Sequence, residues 1–269
     1  MKKSTAQQLL KITNELYKNE AQSFSNTRHD IWEKEIIDFV NKIEPGSSIL
    51  DLGCGNGRLL AHLRNVSGIM NNELGITKTN YLGMDQSKEF INMNCKKFGI
   101  NSAIVPQISA IFKVGDGLKM NFDNEFDYII SIAVLHHIPS EELQLKFLKN
   151  IYNSLKPNLH PAGGGGKILI STWNRLNDKY RNYFTKEYKQ KILHQFSLIP
   201  ELFSDLQNND LIVPWRQSGQ YRFMHTFEPE ELKLLAQKVG FKNIQVIVSK
   251  HGIKTDTKTA LNIYLTAEK

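Results

Sequence analysis

Apolar residues recur at helical spacing in two early stretches: Leu9, Leu10, Ile12, Leu16 and Tyr17 within residues 4–23, then Ile36, Ile37, Phe39, Val40 and Ile43 within 31–43. Pro45-Gly46 ends the second stretch. The period then changes, because Ser48-Ile49-Leu50-Asp51-Leu52 is a short apolar run leading straight into glycines, which predicts a buried strand, a tight loop and a helix from about Arg58. The polar stretch 67–80 reads as a surface insertion ahead of a strand at 81–84. Beyond it the pattern predicts a helix at 87–98 stopped by Gly99, strands at 110–114, 126–132 and 167–172, a helix at 141–155, and a glycine turn at 163–166. Strands alternating with helices predict an α/β fold with a mostly parallel central sheet and helices on both faces. The rhythm breaks at 173–221, a long aromatic and charged segment that reads as a cover over the sheet edge carrying the chemistry. A helix at 229–239 and two β-rich runs, 244–249 and 260–266, follow, the runs forming an antiparallel hairpin at one edge of the sheet.

With 269 residues, 41% of them hydrophobic, the chain suffices for one such domain with a full core. Residues 1–269 are read as a single domain: N-terminal helices (1–45), a cofactor-binding core (46–172), a substrate-covering insertion (173–225), and a C-terminal helix with the edge hairpin (226–269). No apolar run of about 18 residues occurs and the first residues are amphipathic, so neither a spanning helix nor a signal peptide is expected. The expectation is a soluble cytoplasmic protein with no membrane partner. Cys54 and Cys95 form no CxxC pair and have no histidine at ligand spacing, so neither a disulfide framework nor a metal site is expected. The net charge of +7 suits a polyanionic partner such as RNA, but lysines scattered through a chain rich in Asn and Ile produce the same total.

The chemistry begins at residues 51–57, Asp-Leu-Gly-Cys-Gly-Asn-Gly. Gly53, Gly55 and Gly57 let the backbone bend sharply and approach a ligand at the carboxyl end of a strand. The GxGxG spacing differs from the GxGxxG of a dinucleotide site, and Asp51 ahead of it would repel pyrophosphate while welcoming the ammonium of a methionine moiety. Asp85 ends the next strand, where a carboxylate can accept both hydroxyls of a ribose. Asp116, between Gly115 and Gly117, ends the third and is placed for an adenine amino group. Cys54, Gln86, Gly117 and Ile132 flank these positions and join the candidate cofactor set. Helix capping accounts for one such acid, but poorly for three in register on one sheet edge.

Two further segments point to an acceptor. Residues 24–32, Phe-Ser-Asn-Thr-Arg-His-Asp-Ile-Trp, place Arg28 and His29 between aromatic anchors, and an arginine there can clamp a carboxylate or phosphate through two parallel hydrogen bonds. His136 and His137 leave the fourth strand together. Adjacent side chains diverge, so one of them is expected to face the site. Val213-Pro-Trp215-Arg216 and residues 220–225 mix aromatics with cations, which suits either stacking of a splayed base or a packed lid with a charged rim.

The chain resembles the class I S-adenosylmethionine-dependent methyltransferases. Within them it is similar to the tRNA wobble-uridine carboxyl methyltransferases, on residues 24–32, 51–58, 131–138 and 210–215. That resemblance implies a Rossmann-like fold, S-adenosylmethionine as cofactor, and methylation of 5-carboxymethyluridine in a tRNA anticodon loop. It also implies a small zinc-binding activator protein on a sheet edge as a candidate partner. No base is then required, since a carboxylate of pKa about 4 is already ionised, and alignment supplies the acceleration. Arg28, His29, His136 and His137, followed by Arg175 and Arg216, become the cationic candidates for holding the acceptor, with Trp215 beside it. The insertion at 67–80, the stretched turn 156–166 and Ser171-Thr-Trp-Asn174 depart from the family pattern. A small-molecule methyltransferase and a non-catalytic RNA-binding relative are the alternatives, and the intact acid and glycine set argues against the second.

Overall fold

The computed structural model describes residues 1–28, 33–65, 79–99, 108–157, 165–195, 200–215, 218–250 and 253–269. Its helices are α1 Lys3–Asn19, α2 Ala21–Ser25, α3 Lys34–Val40, α4 Arg58–Asn65, α5 Lys88–Phe98, α6 Glu141–Ser154, α7 Lys186–Gln195, α8 Pro200–Ser204 and α9 Pro229–Val239. The strands are β1 Ser48–Leu52, β2 Thr79–Asp85, β3 Ile108–Val114, β4 Tyr128–Ile132, β5 Lys167–Trp173, β6 Asp210–Pro214, β7 Tyr221–His225, β8 Lys242–Lys250, β9 Ile253–Lys254 and β10 Asn262–Glu268. Eight of them form one sheet in the order β3-β2-β1-β4-β5-β10-β8-β9. The first five are parallel, and β10 runs antiparallel between β5 and β8. The order reverses at β1, which opens a crevice at the carboxyl ends of β1 and β4.

The central strands read as unbroken apolar runs because both sheet faces are covered, and successive side chains enter different cores. Leu50, Ile129, Ile168, Ile170 and Leu265 pack beneath Phe147, Leu148 and Ile151 of α6 and Leu232 and Leu235 of α9. Ile49, Ile130, Leu169 and Tyr264 pack beneath Ile36 and Val40 of α3, Leu59, Leu60 and Leu63 of α4, and Ile91 of α5. Each such buried side chain contributes roughly 1.5–3 kcal/mol. The predicted strand at 126–132 begins only at Tyr128, because Phe126 forms an isolated bridge with Leu155. No helix among the described residues is long and apolar enough to cross a membrane.

The cover holds a feature its composition did not announce, the antiparallel pair β6–β7. One face of the pair supplies Ile212 and Phe223 to a cluster with Leu9, Ile192 and Leu202, so α1 is built onto a segment some 200 residues later. Thr13 Oγ1 accepts the Phe223 N–H at 3.0 Å, across 210 positions of sequence. The other face packs Leu211, Val213 and Met224 against Trp173, Tyr183 and Phe184.

His225 fastens this pair to α9. Its Nδ1 lies 2.6 Å from Asp210 Oδ1 and its Nε2 2.8 Å from Glu231 Oε1. Burial pushes the imidazole pKa down, but the two carboxylates outweigh it and hold it up at about 9. A group whose folded pKa exceeds its unfolded value of about 6.5 stabilises fully below 6.5, and that contribution is lost as pH rises through the folded value. The rise from 6.5 to about 9 corresponds to on the order of 3 kcal/mol. His225→Gln is therefore expected to unfold at a lower temperature than the parent at pH 6 and to close the gap by pH 10, read by thermal melts across that range. A constant gap would refute the assignment.

Candidate active site

A cavity of about 1040 Å³ opens at the carboxyl ends of the parallel strands, beneath α1 and β7. Because Leu52 aligns with Met84 and Asp85 with Val114, the three strand-end acids finish on one edge. The loop after β1 turns through positive φ at Gly53 (79°), Gly55 (49°) and Gly57 (72°). Gly53 N–H and Cys54 N–H both donate to Met84 O, at 2.7 and 3.1 Å, stitching the loop to β2. Asp85 completes the stitch, its Oδ2 accepting Gly55 N–H and its Oδ1 accepting Ser87 N–H, each at 2.9 Å. Burial raises the Asp85 pKa while these backbone bonds oppose the rise.

Asp51 is 3% exposed and accepts the Tyr81 hydroxyl at 2.6 Å. Burial pushes its pKa up to about 7. The Tyr81 bond opposes that rise, the Asp85 charge adds to it, and Arg58 counters it. Asp116 Oδ1 accepts Leu118 N–H at 2.9 Å and Gln86 Nε2–H at 3.2 Å, and Lys119 lies 3.5 Å from Oδ2. Cys54, Gly117 and Ile132 also line the cavity. Gly57 does not. A Cβ there would lie 2.6 Å from Phe98 and 2.8 Å from Asn94 Oδ1, so this glycine serves the approach of α5 rather than the ligand surface.

The facing wall is built by distant segments. At Ala133 the chain turns through φ 59°, its N–H held 3.0 Å from Ser171 Oγ, and enters a 3-10 turn at Leu135–His137. Both histidines line the cavity, so the expected division of one in and one out is not observed. His137 Nδ1 donates to Phe223 O at 2.9 Å, since a carbonyl only accepts, and its Nε2 therefore accepts the Tyr17 hydroxyl at 2.8 Å. His136 Nδ1 accepts Trp173 N–H at 3.3 Å, which leaves its proton on Nε2. Burial, reinforced by the Arg222 charge, pushes His137 down to about 3 and His136 well below its ordinary value. The expectation that this pair binds an anion as cations is thus corrected: both rings are neutral at physiological pH, because they are buried beside a fixed positive charge.

Arg28 lines the cavity with its guanidinium carbon 4.4 Å from the Phe24 ring centroid. Arg175 lies elsewhere, 3.6 Å over the Phe184 ring with Nε donating to Asn209 at 3.2 Å, a role inside the cover. Trp215 is 4% exposed and stacks behind the wall on Phe24 at 6.1 Å, so it presents no free face for a base. His29 and Arg216 lie outside the described residues, as do most of the 67–80 insertion and of the 156–166 turn. Tyr17, an apolar helix position by its spacing, Arg222, one cation among several in its segment, and Arg58, whose pKa burial lowers to about 10, also line the cavity, and no local sequence signal singles them out.

This doubly wound sheet, with a glycine loop and acids at successive strand ends, defines a Rossmann-like class I methyltransferase fold. The chain belongs to the methyltransferase domain family, whose model matches residues 24–246. It is 27% identical over 274 residues to a tRNA (carboxymethyluridine(34)-5-O)-methyltransferase of Xenopus tropicalis, covering 88% of this chain and 38% of the relative. With the Schizosaccharomyces pombe protein of the same name it shares 27% over 220 residues, 81% of this chain and 73% of that one. The chain thus spans well under half of the Xenopus relative. Among solved structures it superposes on an S-adenosylmethionine-dependent methyltransferase of Methanosarcina mazei with a TM-score of 0.59, at 21% identity, over 90% of this chain and 99% of that one. It also superposes on a chain in the complex between the Haloferax volcanii Trm112 methyltransferase activator and its partner, with a TM-score of 0.56 at 14% identity, covering 95% and 96%.

Proposed function

We propose that this chain uses S-adenosylmethionine to methylate the carboxylate of 5-carboxymethyluridine at the wobble position of tRNA. One observation carries the reading: strand-end carboxylates, three arginines and two uncharged histidines line a single cavity. The names of the relatives support the same substrate. The residues fit the cofactor, for Asp51 is a buried carboxyl that a ligand ammonium would ionise, Asp85 suits ribose hydroxyls, and Asp116 with Gln86 suits the adenine edge. When bound there, S-adenosylmethionine supplies a methyl group on a positively charged sulfur. The chain's own residues hold and align. Arg28 lines the cavity beside the glycine loop and is assigned to the acceptor, His136 offers a neutral Nε2–H donor, and no residue has to remove a proton from an acceptor that is already ionised.

Lys3, Lys11, Lys18 and Lys146 rim the opening and suit the phosphates of an anticodon loop. Strand β3 ends the sheet and exposes Ile111 (59%) and Val114 (48%). Among the described residues no strand pairs with the outer side of β3; an apolar edge of this kind invites strand pairing, and the small zinc-binding activator implied by the sequence resemblance is the partner proposed for it. The Haloferax volcanii complex, which pairs a methyltransferase activator with a chain of similar fold, supports an activator protein as partner.

The deciding experiment supplies labelled S-adenosylmethionine and tRNA carrying the carboxymethylated wobble uridine, with unmodified tRNA as control, with and without a Trm112-type activator. Label is expected only in the modified tRNA, released by mild alkali as an ester requires. If neither tRNA is labelled while a metabolite extract is, the RNA reading fails.

Asp51 adds a pH signature. Below pH 7 the site holds a proton that a bound ammonium must displace, so cofactor affinity is expected to fall by up to tenfold per pH unit between 7 and 5. Calorimetry in buffers of different ionisation enthalpy should show nearly one proton released at pH 6. No proton release would remove Asp51 from the ammonium site.

A further inference from the structure

We propose that Arg222 is the residue that reads the negative charge of the acceptor. The inference rests on the carboxylate acceptor proposed above. Arg222 sits on β7, 8% exposed, yet lines the cavity. Its guanidinium carbon lies 5.0 Å from the Trp215 ring centroid, 5.5 Å from Trp173 and 5.9 Å from Tyr17, within an aromatic cage. Nη1 donates to the Tyr17 hydroxyl at 2.7 Å, and that hydroxyl passes its own hydrogen to His137. The buried Nε has no hydrogen-bond acceptor, and no acid pairs with the guanidinium among the described residues.

A buried cation without an anion is costly, and ring faces offset only part of that cost. An acceptor carboxylate would supply the missing partner. Arginine's planar fork matches a carboxylate through two parallel bonds, and cage and phenol together fix the fork before the ligand arrives. The other cavity arginines are engaged differently: Arg28 Nη1 donates to Thr27 at 2.9 Å near the rim, and the charge of Arg58 acts on Asp51. Because the two histidines beside Arg222 are neutral, positive charge at this depth of the wall is carried by Arg222 itself. Such an arrangement selects a carboxymethyl over a carbamoylmethyl group, which has the same shape and no charge.

The test compares anticodon stem-loop RNAs bearing carboxymethyluridine or carbamoylmethyluridine, with binding read by fluorescence anisotropy. The parent protein is expected to prefer the acid by at least about tenfold, as loss of a charge-assisted pair implies. Arg222→Met should reduce the preference to within about twofold while S-adenosylmethionine affinity, read by calorimetry, stays within about twofold. Arg222→Gln, which keeps a donor for Tyr17 and so preserves the cage, should do the same if the Met variant folds poorly. Variants that keep the parent's preference overturn the proposal, as does a parent that methylates the acid RNA without preferring it in binding. A parent that neither binds nor methylates the acid RNA overturns the functional reading as well.

Discussion

Asp85→Ala is expected to weaken S-adenosylmethionine binding by about 100-fold or more, the largest loss of any single change in the cavity. Two hydrogen bonds from hydroxyls to a charged acceptor are worth roughly 1.5–3 kcal/mol each, and about 1.4 kcal/mol is tenfold. The substitution also strips Gly55 N–H and Ser87 N–H of their shared acceptor, so the glycine loop loses one of its ties to β2. Asp85→Asn keeps an oxygen but loses the charge, and should fall between the two. Calorimetric titration with the cofactor decides the matter, and a loss under about fivefold for Asp85→Ala would falsify the ribose assignment.

Gly53→Ala should damage both stability and cofactor binding. The position has φ 79°, and a Cβ built on it lies 2.2 Å from Val134 Cγ2. Valine is stiff at χ1 and cannot swing aside, and its neighbour Ala133 is pinned by hydrogen bonds from its N–H to Ser171 Oγ and O at 3.0 and 3.1 Å. The left-handed backbone costs roughly 1 kcal/mol for alanine and the overpacking about 1–3 more, which lowers the melting temperature by about 4–8 °C in a chain of this size. Val134→Ala in the same chain should restore most of that loss. A single Gly53→Ala variant that melts within about 2 °C of the parent would show that the loop relaxes freely.

Much of the fold was legible because its signals are short-range. The strand ends at 52, 114 and 132, the Gly99 helix stop and the Pro229 helix start each depend on residues within one or two turns and recur in the structure, while the strands read as ending at 84 and 172 run one residue further. The acids at 51, 85 and 116 were legible for a related reason, since parallel strands in register bring their ends to one edge. The β6–β7 pair was not, because its runs at 210–214 and 221–225 read equally as an aromatic, charged cover. Arg175 and Trp215 look like ligand-binding residues by type, but packing commits one to Phe184 and the other to Phe24.

The sequence by itself determined the α/β class, the glycine loop that only small residues can form, and the three carboxylates beside it. Only the tertiary structure decided the rest of the cavity lining, where Tyr17 and Arg222 meet across 205 positions and the histidines beside them lose their charge. The physical reason is that backbone geometry follows from neighbouring residues, whereas burial and the field of a distant guanidinium exist only after the chain has folded.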